Sequence, residues 1–343
     1  VTPPADLRSA LRSARSPWAE ATLEPLPDQG PAHAHVRLVG SGLLARIPKQ
    51  SQMKLAAADN LAYQAACFER AAASGHAPRL HGLLPPSAAL PRGALLVEEI
   101  VGRAARLPHD LPAIAEALAA IHSLALPDAA ARAPLLDPAD PLALLRDEIE
   151  AQAAYFDAAG LAPQARAAIE AQRRELDRLC ARTERPPKRL IAFDAHPGNF
   201  IVRADGRAVL VDLEKARYSL PPLDLAHATL YTSTTWDVAS HAVLSVDEVR
   251  AFQQHWLSRC AGAEAWRGWL VPLRAAMWLW SVSWCAKWRV TSSQPAQRSA
   301  DGEDWSAQRS EAGLVAHVRS RVDDYLGAPG VGRVIEELAA LAA

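Results

Sequence analysis

The chain has little cysteine. Its 343 residues hold four, Cys67, Cys180, Cys260 and Cys285, widely spaced and without a Cys-x-x-Cys pair. That spacing speaks against a disulfide framework or a cysteine zinc site and in favour of a reducing cytoplasm. Excess charge is missing too: 37 Lys and Arg against 38 Asp and Glu leave a formal charge of −1, so there is no global basic footprint for nucleic acid. Long hydrophobic runs are absent. The most apolar stretch, Ala275 to Ala286, is too short to span a bilayer and is flanked by Arg274 and Lys287. The chain opens Val1-Thr2-Pro3-Pro4 with no apolar core, so no secretory signal is expected. No internal repeat is visible. These absences point to a soluble, cytoplasmic protein with neither a nucleic-acid nor a membrane partner.

Half of the residues are apolar, enough for a sizeable core, and the length suits two lobes or two domains. Residues 1–20 read as a helix or arm. From Thr22 to Pro48 the pattern is strand-like, with turns at Asp28-Gln29-Gly30-Pro31 and Gly40-Ser41-Gly42. Leu55 to Ser74 reads as a helix stopped by Gly75, and Ala94 to Val97 as a short strand. After Gly102, Leu111, Ile114, Leu118 and Ile121 recur at helical spacing, and residues 139–158 and 163–184 continue the helical pattern. Residues 291–308 are polar with Pro and Gly and read as an exposed loop.

Residues 193–212, FDAHPGNFIVRADGRAVLVD, carry the chemistry. Leu190 to Phe193 reads as a short buried strand entering a tight loop at Pro197-Gly198. Phe200-Ile201-Val202 and Val209-Leu210-Val211 flank Asp205-Gly206, a strong hairpin signal. Such a hairpin returns Asp212 to the side of Asn199, where one cation can touch both. Phosphoryl transfer in kinase folds uses one carboxylate to orient the attacking hydroxyl and take its proton. An amide oxygen and a second carboxylate hold Mg²⁺ against the nucleotide phosphates. Asp194, Asn199 and Asp212 have that order and spacing.

The Asp-x-His-x-x-Asn loop with Pro-Gly inside it resembles that of the aminoglycoside phosphotransferase and choline kinase superfamily. The resemblance implies an α+β, two-lobed, protein-kinase-like fold, with a small β-rich lobe over residues 1–99 carrying one main helix and a larger, mostly helical lobe over residues 100–343. It implies ATP and Mg²⁺ as cofactors and a small hydroxyl-bearing acceptor. Asp194 is then the base, Asn199 and Asp212 the metal ligands, and His196 the histidine that braces the loop. One departure is plain: the family often has His-Gly directly before the Asp, and this chain has Ala192-Phe193.

On the nucleotide side, Gly30-Pro31-Ala32-His33 stands where the family has its phosphate-covering turn, with His33 at a position often held by Asn. A lone glycine in a turn is also an ordinary surface feature. Arg46, on the next strand, takes the place of the phosphate-binding cation and can bridge two phosphate oxygens; Lys49 is the runner-up. The helix acid that pairs with this cation falls at Gln64. The expected ion pair becomes a hydrogen bond, which Gln64→Glu would restore; Glu69 is a possible substitute. The backbone around Glu98, Glu99, Ile100 and Val101 forms the expected hinge along the adenine edge, and Gly102 lets the chain turn into the large lobe.

On the acceptor side, Val211-Asp212-Leu213-Glu214 resembles the segment of choline and ethanolamine kinases that carries Glu after the metal Asp. Glu214, two positions from Asp212, is expected on the same side and towards the acceptor. Asp224 matches a structural Asp that braces the catalytic loop. Trp280, Trp284 and Trp288 recur at helical spacing, either as core or as an aromatic wall for a cationic head group. Trp236-Asp237 and Glu303-Asp304-Trp305 put carboxylates beside indoles, as acceptor contacts or as surface turns. An amino alcohol of the choline or ethanolamine kind is the leading acceptor. An aminoglycoside or sugar is the alternative, a catalytically silent nucleotide-binding pseudokinase is the competitor, and an Asp/His hydrolase is a remoter third.

Overall fold

A computed structural model describes residues 4–27, 32–296 and 303–343. The chain runs α1 (Pro4–Ser13), β1 (Leu23–Pro25), β2 (His33–Leu38), β3 (Leu43–Pro48), α2 (Ala57–Ala72), β4 (Leu80–Leu84), β5 (Ala94–Glu98) and β6 (Arg103–Ala104). Helices α3 (Leu111–His122), α4 (Pro141–Ala153) and α5 (Pro163–Cys180) follow. Then come β7 (Arg189–Ile191), β8 (Phe200–Val202), β9 (Ala208–Leu210) and β10 (Arg217–Ser219). The chain closes with α6 (Pro222–Thr229), α7 (Tyr231–Thr234), α8 (Val246–Arg259), α9 (Leu270–Thr291), α10 (Ala312–Leu326) and α11 (Ala328–Ala342).

Strands β1 to β5 form one antiparallel sheet in the order β1-β2-β3-β5-β4. Strand alternation decides what this sheet offers to each side. Val36, Leu38, Leu43, Ala45, Ile47 and Leu96 turn one way and bury against Leu7 and Leu11 of α1. His33, His35, Arg37, Leu44 and Arg46 turn the other way, into a cleft. Helix α2 presents Leu61, Gln64, Phe68 and Ala71, an i, i+3, i+7, i+10 face, to the interior. It ends ahead of Gly75, whose φ of +71° a side chain would resist.

The rest of the molecule is mainly helical, with two small strand groups, β6-β8-β9 and β7-β10. Helix α9 is buried nearly all round and packs on α4, α5, α6 and α10, the expected setting for a helix without a polar face. Among the described residues no helix is long and apolar enough to cross a membrane.

Three sequence expectations change. Strand β4 was not foreseen; its segment, with Leu83 and His81 exposed, lacks the apolar alternation of a buried strand. The helices expected over 139–158 and 163–184 are shorter, because the chain turns after Ala153 and Cys180. The exposed loop expected at 291–308 is corrected at its end: Asp304, Trp305 and Ser306 are buried, and Asp304 N–H donates to Gln50 Oε1 at 2.9 Å. Residues 297–302 of that stretch, like Gly30, lie outside the described residues.

Candidate active site

The loop that carries Asp194 is held from behind. Strand β7 pairs antiparallel with β10 (Ile191 opposite Arg217) and delivers the chain to the loop. Asp224, fully buried on α6, accepts the N–H of Ala192 at 2.7 Å and of Phe193 at 2.8 Å. His122 Nε2 lies 3.1 Å from the same carboxylate, and Trp256 Nε1 lies 3.1 Å from His122 Nδ1. An indole N–H only donates, so Nδ1 accepts and the Nε2 proton points at Asp224. Bracing therefore falls to Asp224, as its sequence context suggested. The His196 side chain does not supply the expected brace: its Nδ1 is buried without a hydrogen-bond partner and its ring stands edge-on to His227, with centroids 6.1 Å apart, while its carbonyl accepts the Asn199 N–H at 2.9 Å. Its edge lines the cleft instead.

Phe193 explains the departure from His-Gly. Its φ is +60°, left-handed backbone that disfavours a side chain. The ring is fully buried, stands edge-on to Trp280 at 5.2 Å and lies 3.7 Å under the Arg217 guanidinium. Arg217 is anchored by Glu148 at 2.7 Å. Burial and cation–π contact offset the strain.

The hairpin β8–β9 brings the metal candidates together. Val211 N–H donates to Asn199 O at 2.9 Å. Asn199 spends its Nδ2 on Asp194 O at 2.8 Å, which leaves Oδ1 as a free acceptor. Asp212 Oδ1 takes Arg46 Nη2 at 2.5 Å and the Glu214 N–H at 3.4 Å, leaving Oδ2. An amide oxygen and a carboxylate oxygen are hard donors that fit Mg²⁺. His33, Asp212 and Glu214 also bring ligand atoms within 4.8 Å of one another. The Arg46 guanidinium already lies on two of these three groups, so that trio is served by a cation of its own.

Glu214 requires a correction. It does share a side with Asp212, but that side faces the small sheet and not the acceptor. It is buried, accepts from Gln52 Nε2, and lies 3.5 Å from Gln64 Nε2 and 3.6 Å from His33 Nε2. Burial first, then Asp212, pushes its carboxyl up to about 8. Residue parity was right; which lobe covers that face is tertiary information. The Gln64 expectation changes with it. Arg46 Nη2 lies 3.1 Å from His33 Nδ1, and His33 Nε2 lies 3.1 Å from Gln64 Oε1. The guanidinium only donates, so a directed relay runs Arg46 to His33 to Gln64 to Glu214. Burial, aided by Arg46, holds His33 neutral, well below its usual range. Gln64 thus meets His33 and Glu214 rather than Arg46, and Glu69 is exposed on α2.

In the hinge, Glu98 N–H is taken by Arg79 O and Glu99 N–H by Gly42 O, both at 2.8 Å. Their carboxylates pair with Arg203 and Arg37. Ile100 and Gly102 line the cleft just beyond.

At the reacting centre, Lys215 Nζ donates to Asp194 Oδ2 at 2.7 Å, and His227 Nδ1 lies 3.7 Å from Oδ1. Burial would raise the Asp194 carboxyl, but Lys215, with His227 and His196, holds it well below the carboxylate range. Sequence reasoning missed Lys215 and His227. A signal for Lys215 existed: it is one of only five lysines in an Arg-rich chain, and it stands three residues after Asp212.

Beyond Asp194 the cleft has an aromatic end. Trp236 stands edge-on to Trp284 at 5.7 Å, and Trp284 to Trp305 at 5.3 Å, with Tyr325 alongside Trp236. Asp237, also lining the cleft, packs against Gly198, where an added Cβ would come within 2.9 Å. Trp280 and Trp284 of α9 line the cleft, and Trp288 is buried core away from it. Two unforeseen hydroxyls, Thr232 and Ser233 of α7, line the same end, buried and unpaired. Glu303 is tied to Lys287 and the Trp305 indole, both at 2.6 Å.

A small antiparallel sheet over a helical body, with an Asp-loop and an Asn/Asp hairpin between them, defines a kinase-like phosphotransferase. The profile of the phosphotransferase enzyme family matches residues 27–269, and the chain belongs to that family. No curated protein matches the sequence. Among solved structures the chain resembles a choline/ethanolamine kinase family protein from Mesorhizobium loti, at 18% identity, 98% coverage of both chains and TM-score 0.55. It also resembles a putative aminoglycoside phosphotransferase from Ralstonia eutropha, at 13% identity, 96% and 98% coverage and TM-score 0.58. An ADP-bound aminoglycoside phosphotransferase aligns at 13% identity, 95% and 98% coverage and TM-score 0.53. At such identities these structures speak for the two-lobed kinase-like fold.

Proposed function

We propose that this protein transfers the γ-phosphoryl group of ATP, with Mg²⁺, to a hydroxyl of a small acceptor that also bears an ammonium group. One observation carries the reading. A single cavity of about 460 Å³ runs from the hinge at Glu98–Gly102, past Asp194, Asn199, Asp212 and Arg46, to the aromatic end at Trp236 and Trp284. In this reading nucleotide, metal, base and acceptor wall follow one another along it, as in-line transfer needs. The division into lobes at 1–99 and 100–343 belongs to the same proposal, as does a reducing cytoplasm, which suits four free cysteines.

In this reading the Ile100 amide and the hinge carbonyls read the base edge, since the N–H groups of Glu98 and Glu99 are engaged. Arg46 grips phosphate, steadied by the His33–Gln64–Glu214 relay. Asn199 Oδ1 and Asp212 Oδ2 would hold Mg²⁺, which when bound neutralises phosphate charge and fixes the phosphates' orientation. Asp194 accepts the acceptor's hydroxyl hydrogen. A carboxylate held so acidic is a poor base towards a ground-state alcohol. Its work is to orient the hydroxyl and take the proton late, as a loose transition state allows. The indole faces and Asp237 hold the ammonium, for which cation–π contact contributes about 0.5–2 kcal/mol.

The panel that tests this is choline, ethanolamine, aminoglycosides and uncharged sugars, compared by ADP release. Preference for a cationic acceptor is expected. Preference for an uncharged sugar rejects the cationic reading and leaves the phosphotransferase. Thr232 and Ser233 favour a second reading within the panel: unpaired buried hydroxyls suit an acceptor with several hydrogen-bonding groups, such as an amino sugar, better than bare choline. A silent nucleotide-binding module would bind ATP and release no ADP with any compound; the intact Asp194, Asn199 and Asp212 argue against it.

A further inference from the structure

Lys215 has no part in the chemistry assigned above, yet it lines the cavity beside Asp194. Its side chain is 9% exposed. Asp212 and Glu214 turn towards the small sheet, and Leu213 turns into the core. Lys215 leaves this segment in another direction, reaches Asp194 Oδ2 at 2.7 Å and lies 5.2 Å over the Trp280 ring. It therefore stands where the phosphate side of the cavity meets the acceptor wall. Burial opposes its charge, but Asp194 holds the ammonium protonated.

The other cations that line this cavity are committed. Arg37 is paired with Glu99 and Glu24 at the hinge end. Arg46 is tied to Asp212 and His33. Lys215 alone among them rests on the group that must receive the acceptor's hydroxyl. While it does so, Asp194 Oδ2 is occupied. An ammonium on a flexible four-carbon stem is a point charge that can exchange one oxygen for another nearby.

We propose that Lys215 is a catalytic residue, whose ammonium passes from Asp194 to an oxygen of the transferring phosphoryl group as the acceptor hydroxyl takes its place on the carboxylate. The acceptor oxygen forms its bond to phosphorus, the bond to the leaving ADP oxygen breaks, and the hydroxyl proton goes to Asp194. Lys215 keeps its own protons and stabilises charge on the phosphoryl oxygens, where a fixed donor in a water-poor site is most effective. This inference rests on the phosphotransferase reading.

The test compares wild type, Lys215→Met, Asp194→Asn and the double variant in Mg²⁺-ATP, with the best acceptor of the panel or, where none is taken, water. Loss of one such donor is expected to lower kcat at least about a hundredfold, with the KM values for ATP and acceptor within about threefold. The double variant leaves no charge unpaired and is the safeguard should Lys215→Met not fold. If Lys215 touches the phosphoryl group, the residual turnover of Asp194→Asn falls at least about tenfold further when Lys215 is also removed. If Lys215 acts only by neutralising Asp194, the double variant equals Asp194→Asn, and the proposal is overturned. Lys215→Cys alkylated with 2-bromoethylamine rebuilds a lysine-like ammonium and should recover most of the lost rate, with wild type treated alike because Cys180 is only half-buried. Confirmed alkylation without recovery also overturns it. Wild type that neither binds nor turns over Mg²⁺-ATP overturns the functional reading and this inference together; turnover that survives Lys215→Met overturns the inference alone.

Discussion

Replacing Phe193 with glycine, the residue the family resemblance leads one to expect before Asp194, should destabilise this protein. The backbone favours the exchange: φ is +60°, and relieving a left-handed side-chain residue is worth about 1–2 kcal/mol. Everything else opposes it. The ring is 1% exposed, and emptying such a site costs about 3–5 kcal/mol. Its contact with the Arg217 guanidinium at 3.7 Å adds about 0.5–2 kcal/mol, and glycine's freedom in the unfolded chain about 0.5–1 kcal/mol. The balance is a loss of about 2–7 kcal/mol, from terms that are not strictly additive. Urea unfolding with both midpoint and slope measured reads it directly. Because Phe193 adjoins Asp194 and its N–H is held by Asp224, kcat should fall as well. A Phe193→Gly protein as stable as wild type would show that relief of backbone strain fully offsets the lost packing, against this expectation.

Gln64→Glu should raise the KM for ATP and lower stability, because it sets a second carboxylate beside Glu214, 3.5 Å from the present amide. Unchanged or improved ATP kinetics would mean that the relay from Arg46 is not as drawn. Asp212→Ala should abolish the Mg²⁺ dependence of nucleotide affinity; if titration of Mg²⁺ against nucleotide affinity gives wild-type behaviour, Asp212 is structural. Burial pushes His227 down to about 4 from 6.5, against the pull of Asp194 and with His196 and Lys215 nearby and Asp224 also facing it. The unfolded chain binds that proton more readily, so the stabilisation is complete above 6.5 and is lost as pH falls from 6.5 towards 4. Melting temperature should therefore drop across that window, and less steeply in His227→Gln; identical slopes would contradict the assignment.

The hairpin of the candidate site was legible because its signals are local. Asp194, Asn199 and Asp212 lie within nineteen residues, and Asp205-Gly206 sets the turn between them, with Gly206 at φ +84°. Arg46 was singled out only through the family resemblance, as the cation on the strand after the turn at Gly30; on its own it reads as an ordinary strand charge. What was not legible depended on partners far away in sequence. Alternation put Glu214 beside Asp212 but could not tell which lobe would cover that face. The polar run before Trp305 hid an indole that docks on Trp284 from another element. Gln64 looked like a missing acid because its partners, His33 and Glu214, come from two segments on either side of it. Short strands such as β4, β6 and β10 owe their pairing to neighbours and leave little periodicity to read.

Asp194 is proposed to serve phosphoryl transfer in a Mg²⁺-nucleotide cleft. The most direct measurement follows ADP release from Mg²⁺-ATP by wild type and Asp194→Asn, each with the best acceptor of the panel, alongside nucleotide affinity by calorimetry. Wild type should show acceptor-dependent turnover. Asp194→Asn should bind ATP almost as well and turn over at least about a hundredfold more slowly. Equal turnover by the two proteins would contradict the account.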